Sequence, residues 1–290
     1  MAVSIVVRVI LYLLLGPVIG GLLEGIDRII SARMQGRQGP PLFQPFYDVY
    51  KLMHKQTIVV NSIQVLFITA YLIFTIFTGA LFFGGGDMLL VFFSLSMSEV
   101  MLVLSAYSVN GPYSAMGAQR ELLQMMCYEP MMLLLAIGFY VAQGSFMVND
   151  LIGADRPAVI ALPGMLIGFA FVLIIKLRKS PFDLSTSHHA HQEMVKGLTT
   201  DISGRDMGLV ELAEWYDATL MMGIVGMFFV TREPVSYLFA ILACSVVFFL
   251  ITLIDNTHPR VKAMRMFGLA WGVILVCAGT NLLILNLIGK

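Results

Sequence analysis

The stretch Arg120-Glu121-Leu122-Leu123-Gln124-Met125-Met126-Cys127-Tyr128-Glu129-Pro130, running on as MMLLLAIGFYVA to Ala142, decides the class of fold. From Leu122 onward it matches the roughly 20 apolar residues that a helix needs to cross some 30 Å of hydrocarbon. It also places a carboxylate, Glu129, seven residues beyond Leu122, where a charge is expensive. Seven further stretches have the same length and apolar character: Val3 to Leu23, Ile63 to Phe83, Met88 to Val109, Ala158 to Ile175, Gly208 to Val230, Val235 to Ile254 and Phe267 to Ile288. The expectation is an all-α integral membrane protein with eight transmembrane helices, residues 1–290 forming a single membrane domain. The first stretch is too long for a signal-peptide core and no small-residue cleavage site follows it, so it is expected to stay as an anchor.

Composition agrees, since 58% of the 290 residues are apolar and 12% are charged, with a mean hydropathy of +0.86. Soluble domains carry about 25% charged residues, so a soluble fold could not hide this much apolar surface. Acidic and basic residues number 18 each, which gives nucleic acid nothing to grip. Cys127, Cys244 and Cys277 stand singly, without the paired spacing that ligates zinc or an iron–sulfur cluster, so any redox centre is expected in a partner.

Charge also suggests an orientation. Fourteen of the 18 basic residues fall in the odd-numbered gaps: Arg28, Arg33, Arg37, Lys51 and Lys55; Arg120; Lys176, Arg178, Lys179, Lys196 and Arg205; Arg260, Lys262 and Arg265. The positive-inside rule then puts those long gaps in the cytoplasm and both termini outside, in the cell membrane. Within the first gap, Phe43, Phe46, Tyr47, Val49, Tyr50 and Leu52 alternate with Asp48, Lys51, His54 and Lys55. That pattern suits an amphipathic helix lying in the membrane interface, entered through Gly39-Pro40-Pro41.

The intramembrane acids are the candidate functional residues. Glu99 lies eleven residues beyond Met88, close to mid-membrane, and Glu129 sits beside the helix-kinking Pro130. Glu211, Glu214 and Asp217 recur every three residues on one broad helix face, and Glu24, Asp27 and Arg28 cluster at the end of the first stretch. Arg120, Gln124 and Tyr128 recur every four and form a polar stripe beside Glu121 and Glu129. Burial raises a carboxyl pKa, and groups poised between charged and neutral forms can relay protons; the bland reading is that the same acids are structural ion pairs. The fifth gap holds Asp183, His188, His189, His191, Glu193 and Asp201. His-x-His beside carboxylates could ligate a metal, relay protons near pH 6.5, contact a partner, or belong to a solvated loop; no second ligand cluster accompanies it.

These segments resemble the membrane subunit shared by complex I and the energy-converting [NiFe] hydrogenases. The resemblance covers almost the whole chain. It rests on Glu24-x-x-Asp27-Arg28, on Ala32-Arg33-Met34-Gln35-Gly36-Arg37-Gln38-Gly39-Pro40, and on Gln44-Pro45-Phe46-Tyr47-Asp48-Val49-Tyr50-Lys51-Leu52. It continues through Arg120 with Gln124 and Tyr128-Glu129, Pro181-Phe182-Asp183-Leu184, Gln192-Glu193, Asp201-Ile202-Ser203-Gly204 and Leu212-Ala213-Glu214-Trp215-Tyr216. Where complex I carries further glutamates in the fifth gap, Ser185 to His191 stand here, similar to the hydrogenase branch with energy-converting hydrogenases and formate hydrogenlyase; Glu99 points the same way.

The resemblance implies a membrane component without cofactors of its own. Its partners would be hydrogenase large and small subunits and an iron–sulfur subunit, holding a [NiFe] centre and iron–sulfur clusters, with antiporter-like membrane subunits alongside. H₂ formation would be coupled to proton or Na⁺ movement through Glu24, Glu99, Glu129, Asp183, Glu193, Asp201, Glu211 and Glu214. Arg28, Arg33, Arg37, Arg120, Gln124, Tyr128, His188, His189 and His191 would support that path or the interface. Segments two to six would form a five-helix antiporter-like unit. The rival readings are a quinone-site subunit of a complex I-type NADH dehydrogenase and, in another class, a stand-alone secondary transporter.

Overall fold

In a bilayer a backbone must satisfy its own polar groups, and helices do this within one segment. The computed structural model describes residues 2–58, 61–186 and 196–288, and its regular elements among them are helices. In chain order they are α1 (Ala2–Met34), α2 (Gln44–Met53), α3 (Ser62–Gly84), α4 (Met88–Tyr107), α5 (Pro112–Gln143), the single turn α6 (Val148–Ile152) and α7 (Pro163–Lys176). They continue with α8 (Gly204–Met227), α9 (Ser236–Thr257), α10 (Ala263–Val273) and α11 (Thr280–Ile288), the last two joined by a π-helical insert over Ile274–Gly279.

Each of the eight apolar stretches overlaps a helix, although in the fifth the 3₁₀ turn Ala158–Ile160 comes first and α7 begins only at Pro163. Among the described residues, six helices are long and apolar enough to cross a membrane: α1, α3, α4, α5, α9 and the α10 to α11 rod. The other two differ for separate reasons. With 14 residues α7 is roughly 21 Å long, short of a 30 Å core. α8 has the length, at 24 residues, but carries Arg205, Asp206, Glu211, Glu214 and Asp217. The charges that mark the end of the first apolar stretch do not end its helix, for α1 runs on to Met34 through Glu24, Asp27 and Arg28. Likewise α5 begins at Pro112, which places Arg120 and Glu121 inside the helix rather than before it, and the helix continues through Pro130.

Local chemistry sets the turns. The Asn61 side chain accepts from Ile63 N at 3.1 Å and that of Asp87 from Leu89 N at 2.7 Å, capping α3 and α4 at their starts. Gly85 (φ 87°) and Gly144 (φ 78°) end α3 and α5 in the left-handed conformation that glycine adopts without strain. The turn after α3 then meets the turn after α5, with Met88 N donating to Phe146 O and Val148 N to Gly86 O, both at 2.9 Å. The segment before α7 meets the end of α8 through Val159 N to Phe228 O at 2.9 Å.

The remaining connections meet one another elsewhere. Ile58 N donates to Ser203 Oγ at 3.1 Å, Asn61 Nδ2 to Ser108 O at 3.3 Å and Val261 N to Pro181 O at 2.9 Å. The even-numbered gaps thus gather at one end of the bundle and the odd-numbered gaps at the other.

α8 is the central element, packed against α1, α2, α3 and α9. Its approach to α1 is close because Gly16 and Gly20 leave room. A Cβ on Gly20 would overlap the Trp215 backbone carbonyl, while Thr219 Oγ1 donates to Gly16 O and Tyr216 Oη to Leu13 O, each at 2.8 Å. α9 turns Leu238, Phe239 and Ile241 outward, an apolar surface suited to lipid. The amphipathic α2 forms where its pattern places it, with Pro45 in its first turn, Pro45 and Val49 buried, and Phe43, Tyr47 and Tyr50 exposed.

Candidate functional site

α7 ends by turning its last residues into the bundle. Arg178 N donates to Ile175 O at 3.1 Å and Lys179 N to Ile174 O at 3.0 Å, the paired bonds of a Schellman motif. The residue in the left-handed position is Arg178, at φ 51°, where glycine is usual. A bulky residue there costs on the order of 1 kcal/mol of backbone strain, so something must hold it.

Three carboxylates do. Arg178 donates from Nη1 to Glu214 Oε1 at 2.7 Å, from Nη2 to Glu99 Oε2 at 3.2 Å, and from Nε and Nη2 to Glu121 at 3.1–3.3 Å. These acids come from α8, α4 and α5, so one guanidinium ties three helices together. Two residues earlier, the Lys176 ammonium contacts Glu99 Oε1 and lies 3.2 Å from Asp217 Oδ2. The side chains of Lys176 and Glu99 are 1% and 3% exposed, whereas that of Glu214 is 39% exposed, so water reaches the cluster from the Glu214 side.

A second group adjoins it. Lys179 contacts Asp27 and lies 3.8 Å from Asp255; Asp27 also accepts from Thr252 Oγ1 at 2.8 Å, and Asp255 from Ser180 N at 2.7 Å. Burial lowers the Lys179 pKa, but Asp27 and then Asp255 outweigh it and hold the ammonium above the usual lysine range. Glu24 binds Arg28 and accepts from Trp215 Nε1 at 2.5 Å, and Arg28 reaches Asp48 of α2 at 2.8 Å. Burial raises the Asp48 pKa, yet hydrogen bonds from Arg28 and Gln44 leave that carboxyl below the usual range. All the charged groups named here except Asp48 and Glu121 border a cavity of about 260 Å³ that also receives Glu211 and Asp183.

The residues singled out from the sequence therefore divide. Glu24, Glu99, Asp183, Glu211 and Glu214 share the cavity, with Arg28 in its wall. The Arg120, Gln124 and Tyr128 stripe packs beside it: Gln124 Nε2 donates to Phe182 O at 2.7 Å, Arg120 Nη1 to Leu184 O at 3.4 Å, and Lys176 Nζ lies 5.3 Å above the Tyr128 ring. Asp201 stands apart, where its carboxylate accepts from Ser114 Oγ. Arg33 and Arg37 are exposed and do not line the cavity, and His188, His189, His191 and Glu193 lie outside the described residues.

Glu129 also stands apart. It is half-buried on the stripe of α5 that turns Leu122, Met126, Leu133 and Ile137 outward, and it makes no ion pair among the described residues. Sequence reading misses Lys176 and Arg178 as site residues because they count there among the positive charges of a loop. They are buried ion-pair partners, and their spacing from the helix end is the available signal.

Four carboxylates, Glu99, Glu121, Glu214 and Asp217, here face two bases, Lys176 and Arg178. With all six ionised the acids outnumber these two bases by two, and Lys179 and Arg28 are the further cations on the same cavity.

Comparison with known proteins agrees with this architecture. The chain is 28% identical to the H subunit of NADH-quinone oxidoreductase from Geobacillus kaustophilus (strain HTA426), covering 94% of this chain and 90% of that protein. It is 26% identical to hydrogenase-4 component C of Escherichia coli (strain K12), covering 91% and 90%. Its fold is similar to that of a chain in the membrane-bound sulfane sulfur reductase, an archaeal respiratory membrane complex, with a TM-score of 0.87 at 21% identity over 97% of this chain and 99% of that one. The NADH dehydrogenase family model matches residues 6–286, and the chain belongs to that family.

Proposed function

We propose that this chain is an ion-translocating membrane subunit of a complex I-like respiratory complex of the energy-converting [NiFe] hydrogenase type. It would couple electron transfer and H₂ formation in a hydrophilic arm to movement of protons or Na⁺, and link that arm to antiporter-like membrane subunits. The observation that carries this reading is the buried cluster, where excess carboxylates line a cavity inside an apolar bundle. Groups that share too few cations change protonation when a neighbouring charge changes, which is the elementary act of a proton path.

In this reading Glu214, Glu211 and Glu24 take protons on the water-accessible side and Glu99 holds the interior. Glu129, on the outward stripe of α5, passes charge toward a neighbouring membrane subunit, and Asp183, Asp201 and Glu193 serve the approach from the hydrophilic arm. All eight apolar segments would cross the cytoplasmic membrane, the short α7 together with residues 158–162 before it, with the odd-numbered connections inside and both termini outside. α3, α4, α5, α7 and α8 would be the five-helix antiporter-like unit. The [NiFe] centre and iron–sulfur clusters belong to the partners.

By identity alone the NADH-quinone oxidoreductase relative, at 28% against 26% for the hydrogenase-4 component, slightly favours a quinone-site role. The hydrogenase reading is preferred because Ser185 to His191 stand where complex I carries further glutamates in the fifth gap, and because Glu99 joins the buried cluster. Purification of the intact complex from gently solubilised membranes, with its subunits identified and its metals measured, tests the choice. Co-purifying subunits with nickel, iron and H₂-linked activity are expected. A nickel-free assembly with quinone-linked activity would support the quinone reading, and ion flux by the chain alone would support a stand-alone transporter.

A further inference from the structure

We propose that Lys176 is the titrating base of the buried cluster and that it passes its proton to Asp217, while Arg178 serves as a fixed charge. This rests on the ion-translocating reading and adds which groups act inside it. The two bases are chemically unequal, because a guanidinium keeps its proton in any protein whereas a desolvated ammonium can lose one. Only Lys176 can therefore change charge.

Its two acidic partners are unequal too. Glu99 is held by two cations, with Oε1 on Lys176 and Oε2 on Arg178, and so stays ionised. Asp217 has Oδ2 at 3.2 Å from Lys176, but its Oδ1 is buried without a hydrogen-bond partner and the residue lines the cavity. The groups facing Lys176 are Glu99 from α4, the Tyr128 ring from α5 and Asp217 from α8, with Arg178 beyond Glu99.

The transfer balances simply. An N–H bond of the ammonium breaks, an O–H bond forms on Asp217, and an ion pair becomes a neutral amine and a neutral acid, a form that a dry interior tolerates well. Rotation of the protonated carboxyl brings its O–H to the unpartnered Oδ1 position, from which Asp217 releases the proton on the side away from Glu214, and the amine is reprotonated from cavity water by way of Glu214. Because Glu99 remains charged, it draws the next proton back to Lys176. The ammonium thus works as a relay between fixed charges rather than as glue.

The test uses the intact complex reconstituted in proteoliposomes, with redox turnover and ion uptake measured on one preparation. Lys176→Arg keeps the positive charge but cannot release it. The expected result is an assembled, redox-active complex whose ion-to-electron ratio falls at least tenfold. An assembled Lys176→Arg complex pumping at the wild-type ratio would overturn the proposal. Should the larger side chain prevent assembly, the charge-neutral pair Lys176→Met with Asp217→Asn decides in its place: loss of pumping with redox activity kept supports the relay, and wild-type pumping overturns it. Glu214→Gln separates the levels. If it abolishes pumping while Lys176→Arg leaves pumping intact, only the relay fails; if the wild-type complex moves no ions, the underlying reading fails.

Discussion

Glu99 and Glu129 look alike in sequence, each a lone carboxylate deep in an apolar helix, yet their surroundings differ completely. Glu99 is 3% exposed and gripped by Lys176 and Arg178, whereas Glu129 is half-buried among outward-facing Leu122, Met126 and Leu133, without an ion pair among the described residues. The difference teaches that the cost of an intramembrane charge is visible in sequence, but the way it is met depends on which helix face carries it. Glu99 is held inside the bundle. Glu129 is presented to whatever packs against α5.

The sharpest way to break this contrast is to remove the hub that holds Glu99. Arg178→Gly relieves the left-handed backbone, a gain on the order of 1 kcal/mol. It also leaves Glu99, Glu121 and Glu214 short of a cation, and breaking a buried pair costs about 3–5 kcal/mol. The loss should win, giving a marked fall in thermal stability and in assembled complex on native gels. A variant as stable as wild type would show that the guanidinium is not what ties α4, α5 and α8 together.

Next in size is the direct comparison. Glu99→Gln should destabilise by about 1–3 kcal/mol, because a buried, fully used acceptor is replaced by a neutral group. Glu129→Gln should change stability by less than about 0.5 kcal/mol, as a substitution without disrupted partners does, while lowering ion translocation. Thermal unfolding and transport assays on both variants decide it. Equal destabilisation by the two would erase the distinction between an internal and an outward acid.

The smallest effect concerns Asp48, which joins α2 to α1 at the periphery. Its folded pKa lies below its ordinary value of about 3.9, so its contribution is fully present above that pH and is lost as pH falls through the folded value. The pair is partly open to solvent, so its worth is about 0.2–1 kcal/mol and is weakened by salt. The Tm difference between wild type and Asp48→Asn should therefore be present at about pH 6 and vanish as pH falls through the lowered folded value. A difference that grew in acid would have the wrong sign for this ion pair.

Much of the fold could be read from the sequence because hydropathy reports burial in lipid directly: each of the eight apolar stretches overlaps a helix, the fifth only from Pro163 onward, and α2 forms where the aromatic pattern puts it. Helix ends were less legible. α1 and α5 run past the charges that bound their apolar stretches, since Asp27, Arg28 and Glu121 find partners on neighbouring elements that no local pattern shows. At the site, the glutamates Glu24, Glu99, Glu211 and Glu214 stand out by cost alone. Lys176 and Arg178 do not, because basic residues just after an apolar stretch read as loop charges until the Schellman turn points them inward.

The central claim is that this acid-rich cluster carries ions rather than merely joining helices, and Glu214 tests it most directly because it is the cluster's most accessible acid. The measurement is the ion-to-electron ratio of the complex carrying Glu214→Gln in sealed proteoliposomes, with assembly checked on the same sample. The account predicts an assembled complex that still transfers electrons and moves at least tenfold fewer ions; an assembled complex with the wild-type ratio would contradict it.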